Sequence, residues 1–397
     1  MVEDAEPPVG RWAASTVLLF SVPSPPQGPG DDSPPPMQSS LTEFILEWME
    51  DEEEEDEQVN LYIQAQKEET RTFRQQKNWF DILNNDDFRE RFRLTKNEFI
   101  MVLRKIYGGL IYQNGTRSTN ILPINQLLAC LRFYATGCYM VTCADFCGFS
   151  KKSAQRIIHR VSPLIANMHS EFIKFPVNNN EILGMQQGNF QKSGFIRVIG
   201  AIDCTHVKIE SYGGDDSELY RNRKSIFSIN VQVIANSKLE IIDFVARWPG
   251  SAHDSTIFNH STIKARFEAG QFGNALLLGD AGYPNLPYLM TPLQNPVTHA
   301  ENLYNESQIR TRSMVERCFG TWKRSFPVLS IGTRFKTVQR TLAVIGATAV
   351  LHNILRHTLD VEDFDPNLYN AIIQEQGNEF LHNDERRYLI DHYFQNI

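Results

Sequence analysis

The spacing of apolar residues along the chain changes its period near residue 190. Over residues 68–174 the apolar positions recur every three or four residues, so that Phe99, Val102 and Ile106 fall on one face of a helix. A stripe of this width is typical of a helix that packs against a core. We therefore predict a helical domain over residues 68–185.

Beyond that segment the apolar runs are shorter and rich in β-branched residues. The predicted strands are Phe195–Ile209, Ser228–Ala235, Leu239–Arg247 and Ala275–Leu278, and the predicted helices are Asp254–Ala269, Ile309–Phe326 and Leu342–His357. Asn236-Ser237 indicates a hairpin turn between the second and third strands. This order predicts an α/β domain with a mixed sheet flanked by helices over residues 190–360, and a helical tail over residues 361–397.

The charge is divided unevenly along the chain. The net charge is -8, but residues 1–57 carry fifteen acids against the single base Arg11, so the rest of the chain is mildly basic. Residues 1–40 are rich in Pro, Ser and Gly and cannot bury enough apolar surface to offset their ordering entropy. We predict a disordered segment over residues 1–67, either a solvated tail or a mask for the basic body.

The six cysteines and the apolar runs indicate an intracellular protein. The cysteines form no Cys-x-x-Cys pair and lie in apolar stretches, which is typical of reduced, buried thiols. The apolar run Trp12–Val22 follows acidic residues, unlike a signal peptide. Leu342–Leu351 is too short to span a bilayer. We therefore expect a soluble protein without a membrane segment.

Two aspartates follow apolar runs that predict buried strands. Asp203 comes after Val198–Ile202, where a charge is costly to bury unless a metal or an ion pair with Lys208 or Arg197 compensates it. Asp280 follows another such run, where α/β sheets place their sites. An aspartate that caps a turn is the alternative at Asp280.

Two further acids have stronger local alternatives. Asp254 follows a Pro-Gly turn and precedes a helix, so it is either a ligand or an N-cap. Glu316 lies one turn after Arg312 on the long predicted helix, so a surface ion pair would also explain it. The order of Asp203, Asp280 and Glu316 along two strands and a following helix is the arrangement expected of an RNase H-like polynucleotidyl transferase.

Five motifs in order carry a specific resemblance over roughly residues 70–360. They are Gly200–Val207, Asn222–Lys224, Trp248–Ser255, Leu278–Tyr283 and Arg312–Gly320. In these motifs the chain resembles the PIF/Harbinger transposases, and within them the transposase-derived nucleases of animals. The resemblance implies an RNase H-like DDE domain that cleaves DNA with divalent cations, Mg²⁺ or Mn²⁺.

The resemblance assigns roles to individual acids. It implies Asp203, Asp280 and Glu316 as catalytic residues, and the same three together with Asp254 as metal ligands. One position departs from the family, which often has a His just upstream of the helical Arg and Glu, where this chain has Gln308-Ile309. A domesticated adaptor without catalysis is the main alternative, and a small-molecule metallophosphatase would need more histidine ligands.

Two basic clusters are candidates for contact with DNA. Ala144–Ile158 reads as a helix-turn-helix with Gly148 at the turn, which the family also has here. The proposed contacts are Lys151, Lys152, Arg156 and Arg160 from this segment and Arg221, Arg223 and Lys224 from the loop between the first two strands. An ordinary helical hairpin and a solvated loop are the alternatives. His206 and His253 neighbour the acids, and neither receives a role.

The resemblance also implies partners. Transposases of this type often need a separate Myb-like DNA-binding protein, so we expect such a partner besides DNA itself. The chain has no strong nuclear localisation run, and import would then depend on that partner. We expect the protein in the nucleus and the cytoplasm, and self-association into a homo-oligomer stays open.

Overall fold

The computed structural model describes residue 77 and residues 79–111, 121–357 and 384–396. The predicted disordered segment 1–67 lies outside these residues. The described part of the chain belongs to one compact unit. The division into a helical domain and a nuclease domain therefore stays a prediction.

The helical segment contains eight helices among the described residues. They are α1 (Trp79–Ile82), α2 (Asn85–Phe92), α3 (Lys96–Leu110), α4 (Pro123–Thr136), α5 (Met140–Cys147), α6 (Lys151–Ala166), α7 (His169–Phe172) and α8 (Asn179–Ser193). Local sequence sets their ends: Thr95 and Glu98 form a capping box at α3, and the Ser150 side chain caps α6. Gly148 ends α5 in the left-handed region at a φ of 75°, which leaves a short turn before α6.

A mixed sheet follows, as predicted, with five strands where the sequence predicted four. Its strands are β1 (Val198–Lys208), β2 (Ser228–Ala235), β3 (Ile241–Pro249), β4 (Leu276–Leu278) and β5 (Leu289–Met290), in the order β3-β2-β1-β4-β5. The β1–β2 and β2–β3 pairs are antiparallel, whereas β1–β4 and β4–β5 are parallel. This confirms the mixed α/β sheet and is consistent with an RNase H-like fold. The two-residue strand β5 is too short to give a sequence pattern.

The helices after the hairpin differ in detail from the prediction. They are α9 (Asp254–Asn259), α10 (Thr262–Glu268), α11 (His299–Ser325), α12 (Val328–Ile331) and α13 (Val338–His357). The predicted helix Asp254–Ala269 is divided because the Ser261 side chain caps a second helix. Helix α11 starts ten residues before the predicted Ile309, at a capping box formed by Thr298 and Glu301.

Helix α13 is longer than its apolar run suggested. Its 20 residues make it long and apolar enough to span a membrane by length and composition alone. However, 78% of its apolar window is buried inside the fold. It packs against α6 and β3, so its composition is explained by a place in the core between the helical segment and the sheet.

A C-terminal helix contacts the residue that precedes the first strand of the sheet. The described part of the predicted tail forms α14 (Glu385–Leu389) and one further turn over Ile390–Phe394. Glu385, which is fully buried, pairs with the buried Arg197 immediately before β1. From the sequence, an ion pair with Arg197 was one possible compensation for the charge of Asp203. In the structure Arg197 pairs with the C-terminal helix instead.

Candidate active site

Asp203 and Asp280 lie at equivalent places on two neighbouring parallel strands. Ala201 of β1 pairs with Leu278 of β4, and each aspartate comes two residues later in its chain. Parallel strands bring such positions to the same edge of a sheet. The charge of Asp280 contributes to the pKa of Asp203, so the two carboxylates are electrostatic neighbours.

The Asp203 carboxyl is largely buried, with 18% of its side chain exposed. Burial, with the Asp280 charge adding to it, raises the pKa of Asp203 to about 6. The backbone N–H of Cys204 donates to Asp203 Oδ1 at 2.7 Å and opposes the shift, as does the charge of Arg312. Asp203 therefore holds a charge that the fold compensates only in part.

Arg312 connects Asp203 to Glu316. Its Nη1 lies 3.4 Å from Asp203 Oδ2, and its Nη2 lies 2.8 Å from Glu316 Oε1. The Arg–Glu pair that sequence spacing suggested is therefore present, but the same guanidinium also reaches the strand. Since 55% of the Glu316 side chain is exposed, its carboxylate faces solvent and is joined to Asp203 through Arg312.

Asp280 is held by its own turn. Its Oδ1 accepts the backbone N–H of Gly282 at 3.0 Å, which is the turn-capping contact considered from the sequence. Within the described residues, its Oδ2 accepts no hydrogen bond. The turn therefore orients the carboxylate and leaves one oxygen for another partner.

Gln308 occupies the position where the family often has a histidine just upstream. It is fully buried, and its Nε2 donates to the backbone carbonyl of Gly279 at 2.7 Å. This bond fastens α11 to the end of β4, one residue before Asp280. The departure from the family pattern thus has a structural role, because it fixes the helix that carries Glu316.

Asp254 approaches β1 from the other side of the sheet. Successive residues of a strand point to opposite faces. The Asp203 side chain faces Arg312 of α11, whereas Asp254 contacts Cys204, the next residue of the strand. Asp254 Oδ1 also accepts from Asn230 Nδ2 at 3.0 Å. Asp254 therefore neighbours the Asp203 charge but lies apart from the side chains beneath α11.

The N-cap alternative for Asp254 is not what the structure shows. Helix α9 begins at Asp254 itself, and His253 occupies the N-cap position without a side-chain capping bond. Gly250 shapes the turn before it, because a Cβ there would lie 2.5 Å from the Tyr220 carbonyl oxygen and 2.8 Å from that of Ser228. The Pro-Gly-Ser motif thus needs glycine for the close approach of three backbone segments.

The donor chemistry fits a hard divalent cation. In the described residues no three His, Cys, Asp or Glu side chains converge into a metal-binding group. Mg²⁺ is commonly bound through one or two carboxylates, with waters and substrate phosphates completing its shell. The adjacent carboxylates of Asp203 and Asp280 match this requirement, with the carboxylate of Glu316 across Arg312.

The basic residues of the predicted helix-turn-helix divide into two groups. Lys151, Lys152 and Arg156 are exposed on the first turns of α6. Arg160 instead donates to the backbone carbonyl oxygens of Gly109 and Ile111, both at 2.9 Å. Its guanidinium therefore holds the C-terminal end of α3.

The loop between β1 and β2 also uses its cations unequally. Arg221 forms a two-pronged ion pair with Glu218, and its guanidinium lies over the Phe227 ring. Arg223 contacts His253 Nδ1, which joins this loop to the turn before α9. Lys224 is exposed. Arg221 thus stabilises the loop, while Arg223 and Lys224 lie on its outer surface.

Sequence reasoning missed two residues that organise the site and one contact of a third. Arg312 was identified as a partner of Glu316 alone, and Lys323, which donates to Thr205 Oγ1 at 2.6 Å, was not considered. Asn230, which holds Asp254, is fully buried in an apolar strand. A buried amide there was a usable signal, since Asn230 alternates with Ser228 and Gln232 along one strand face.

Comparisons with known proteins agree with the motifs. Residues 202–353 match the model of a family described as DDE superfamily endonuclease. The human protein named "Putative nuclease HARBI1" is 33% identical over 288 residues, which cover 71% of this chain and 82% of that protein. The Xenopus laevis protein of the same name is 28% identical over 71% of this chain and 83% of its own length. "Protein ALP1-like" of Arabidopsis thaliana is 23% identical over 62% of this chain and 63% of its own. No solved structure gives a significant match.

Proposed function

Because this chain belongs to the Harbinger transposase-derived nucleases of the DDE superfamily, we propose that it is an endonuclease that cleaves DNA phosphodiester bonds with divalent metal ions. The observation that carries the proposal is the pairing of Asp203 with Asp280 on adjacent parallel strands beside Glu316. Such a set of oxygen donors suits Mg²⁺ or Mn²⁺.

Asp203 and Asp280 would hold the metal. A bound divalent cation supplies charge stabilisation for the attacking and leaving oxygens of a phosphodiester. The Gly282 N–H orients the Asp280 carboxylate, and the Cys204 N–H does so for Asp203. Because these contacts come from the backbone, the two carboxylates are positioned before any ligand arrives.

Glu316 would serve the leaving-group side. Its carboxylate is exposed and is held by Arg312, which also contacts Asp203. The Arg312 guanidinium, which holds both carboxylates, would also offer its N–H groups to a substrate phosphate. Arg312 thus contributes positive charge beside the scissile bond, and Glu316 contributes the third carboxylate.

Asp254 would position the site from the opposite face. Its contacts with Asn230 and Cys204 fix the strand segment next to Asp203. We assign it this supporting role ahead of direct metal binding. Removing it should then lower the cleavage rate while leaving the metal concentration for half-maximal cleavage nearly unchanged.

DNA would be held by the helix-turn-helix α5–α6 and by the loop after β1. The exposed cations Lys151, Lys152 and Arg156 lie at the start of α6, where recognition helices contact DNA. Arg223 and Lys224 would contact phosphates nearer the acids. A Myb-like partner and a location in the nucleus and cytoplasm complete the proposal, which rests here on the family.

A cleavage assay with purified full-length protein tests the function. Wild type, Asp280→Asn and the exposed-residue control Asp86→Asn are compared on duplex DNA with Mg²⁺ or Mn²⁺. We expect cleavage by wild type and the control, and a loss of at least about 100-fold for Asp280→Asn, since a proposed ligand is removed. Equal cleavage by all three would refute the assignment of this site.

The alternative is a domesticated DNA-binding adaptor without catalysis. It is distinguished by binding measured on the same DNA in chelator. Binding by wild type with no metal-dependent cleavage would favour the adaptor. Cleavage that needs metal and Asp280 would exclude it.

A further inference from the structure

A cleft of about 300 Å³ lies between α8, the β2–β3 turn and α11. Thr311 and Met314, both buried, form part of its floor. Asn189 on its α8 wall donates to the Val198 carbonyl oxygen at 2.8 Å. The cleft is therefore built on core contacts that hold its walls in place.

Three cations surround this cleft. Lys192 comes from α8, and Arg310 and Arg317 come from α11, whereas no Asp or Glu is among the described residues that line it. Lys192 Nζ donates to the Ser237 carbonyl oxygen at 3.1 Å, and Arg310 pairs with Glu306 at 2.5 Å. The lining is thus positive even after the Glu306 pair is counted.

Of the three cations, Arg317 has the most N–H groups available to a ligand. It is exposed, and within the described part of the chain its guanidinium has no hydrogen bond or ion pair. A guanidinium offers five N–H donors in a planar fork that matches a phosphate. An unengaged arginine above a polar cleft therefore favours an oxyanion ligand.

The cleft lies along the same helix as the candidate acid, but Arg317 points about 100° around the helix axis from Glu316. Arg317 directly follows Glu316, and Ser313 lies between the direction of Glu316 and that of Arg317 around the helix. From Arg310 to Arg317 the helix rises about 10 Å. At about 3.4 Å per nucleotide along one strand, that length corresponds to roughly three nucleotides.

A second cleft shows why this one is preferred. It lies between α2, the end of α11 and α13, and it also contains arginines, including Arg324. However, Asp86 and Glu90 line it as well, and they would repel a polyanion. Of these two clefts, only the first has cations as its only charged lining residues, and its Arg317 directly follows Glu316 in the chain.

From these observations we propose that the cleft of Lys192, Arg310 and Arg317 binds backbone phosphates of the DNA strand that extends from the candidate active site. The inference rests on the proposed function, because it requires a polynucleotide substrate. The ligand is a phosphodiester, and free inorganic phosphate has the same recognition chemistry. The test therefore has to separate the two sources.

The salt dependence of DNA binding provides the test. Full-length wild type, Arg317→Gln and the matched control Arg324→Gln are titrated onto a fluorescent duplex in chelator, by anisotropy, from low to physiological salt. The logarithm of the binding constant falls linearly with the logarithm of the salt concentration. Loss of one phosphate contact should reduce the slope of this line by about 1 and weaken binding to every duplex sequence. We expect this for Arg317→Gln and an unchanged slope for Arg324→Gln.

Each other result has a defined meaning. An unchanged slope and affinity for Arg317→Gln, with wild type binding DNA, would overturn the cleft and leave the nuclease proposal standing. Failure of wild type to bind any duplex would overturn both. Inorganic phosphate could instead stabilise wild type, but not Arg317→Gln, against thermal unfolding while both proteins show the same salt dependence of DNA binding. The cleft would then be a site for free phosphate, and the inference about DNA would be wrong. Equal melting temperatures without phosphate verify the fold of the variant.

Discussion

Replacing Asp203 by Asn should stabilise the metal-free protein at neutral pH. The substitution keeps the shape of the side chain and removes one charge from a buried place. Burial, with the Asp280 charge adding to it, raises the pKa of Asp203 from 3.8 to about 6. The folded protein therefore binds this proton more tightly than the unfolded chain does, and ionisation of Asp203 weakens the fold.

The size of the effect follows from the shift. Roughly two pKa units correspond to about 3 kcal/mol in the free energy of unfolding. Because the folded pKa is raised, this stability is fully present below pH 3.8 and is lost as the pH rises through 6. At pH 7.5 in chelator, Asp203→Asn should exceed wild type by up to about 3 kcal/mol, or about 6 °C in melting temperature.

Urea unfolding between pH 4 and pH 8 measures this difference. The stabilities of wild type and Asp203→Asn should converge near pH 4 and separate as the pH rises. The exposed-carboxylate control Glu268→Gln should follow wild type. Mg²⁺ or Mn²⁺ should stabilise wild type and have little effect on Asp203→Asn, because a ligand stabilises only a fold that binds it.

Three outcomes would contradict parts of this reasoning. A difference between Asp203→Asn and wild type that is constant across the pH range would show that Asp203 does not carry the unfavourable charge. A variant less stable than wild type at pH 7.5 would show that the contacts of Asp203 with Arg312 and Cys204 outweigh its desolvation. Metal stabilisation of Asp203→Asn equal to that of wild type would remove Asp203 from the proposed ligands.

Two further substitutions test the framework of the site. Gly250→Ala should lower the free energy of unfolding by about 1–3 kcal/mol, because its Cβ would meet the carbonyl oxygens of Tyr220 and Ser228. Chemical denaturation measures this difference, and equal stabilities of the variant and wild type would contradict the prediction. Glu385→Ala should lower the free energy of unfolding by about 3–5 kcal/mol, because it removes the carboxylate that pairs with the buried Arg197. A melting temperature equal to that of wild type would contradict the pairing.

Much of the fold could be read from local patterns. The strands Val198–Lys208 and Ser228–Ala235 were predicted within a few residues, because alternation and β-branched runs report burial directly. The start of α11 was missed, although Thr298 and Glu301 have the spacing of a capping box. The strand Leu289–Met290 could not be found, because two residues give no period.

The sequence by itself determined where the acids stand along the chain. Asp203 and Asp280 follow apolar runs, and Glu316 lies on a strongly patterned helix, so their order and their elements were predictable. Only the tertiary structure decided their relations in space. It places Arg312 between Asp203 and Glu316, and it brings Asp254 to the opposite strand face.

The basic residues show the same division. Arg160 and Arg221 were indistinguishable from Arg223 in sequence, yet the first caps α3 and the second pairs within its own loop. The cleft at Arg317 had no local signature at all, since its walls come from three separated segments. Residue type and spacing determine what a side chain can do, whereas its partners depend on contacts between distant segments that local patterns do not encode.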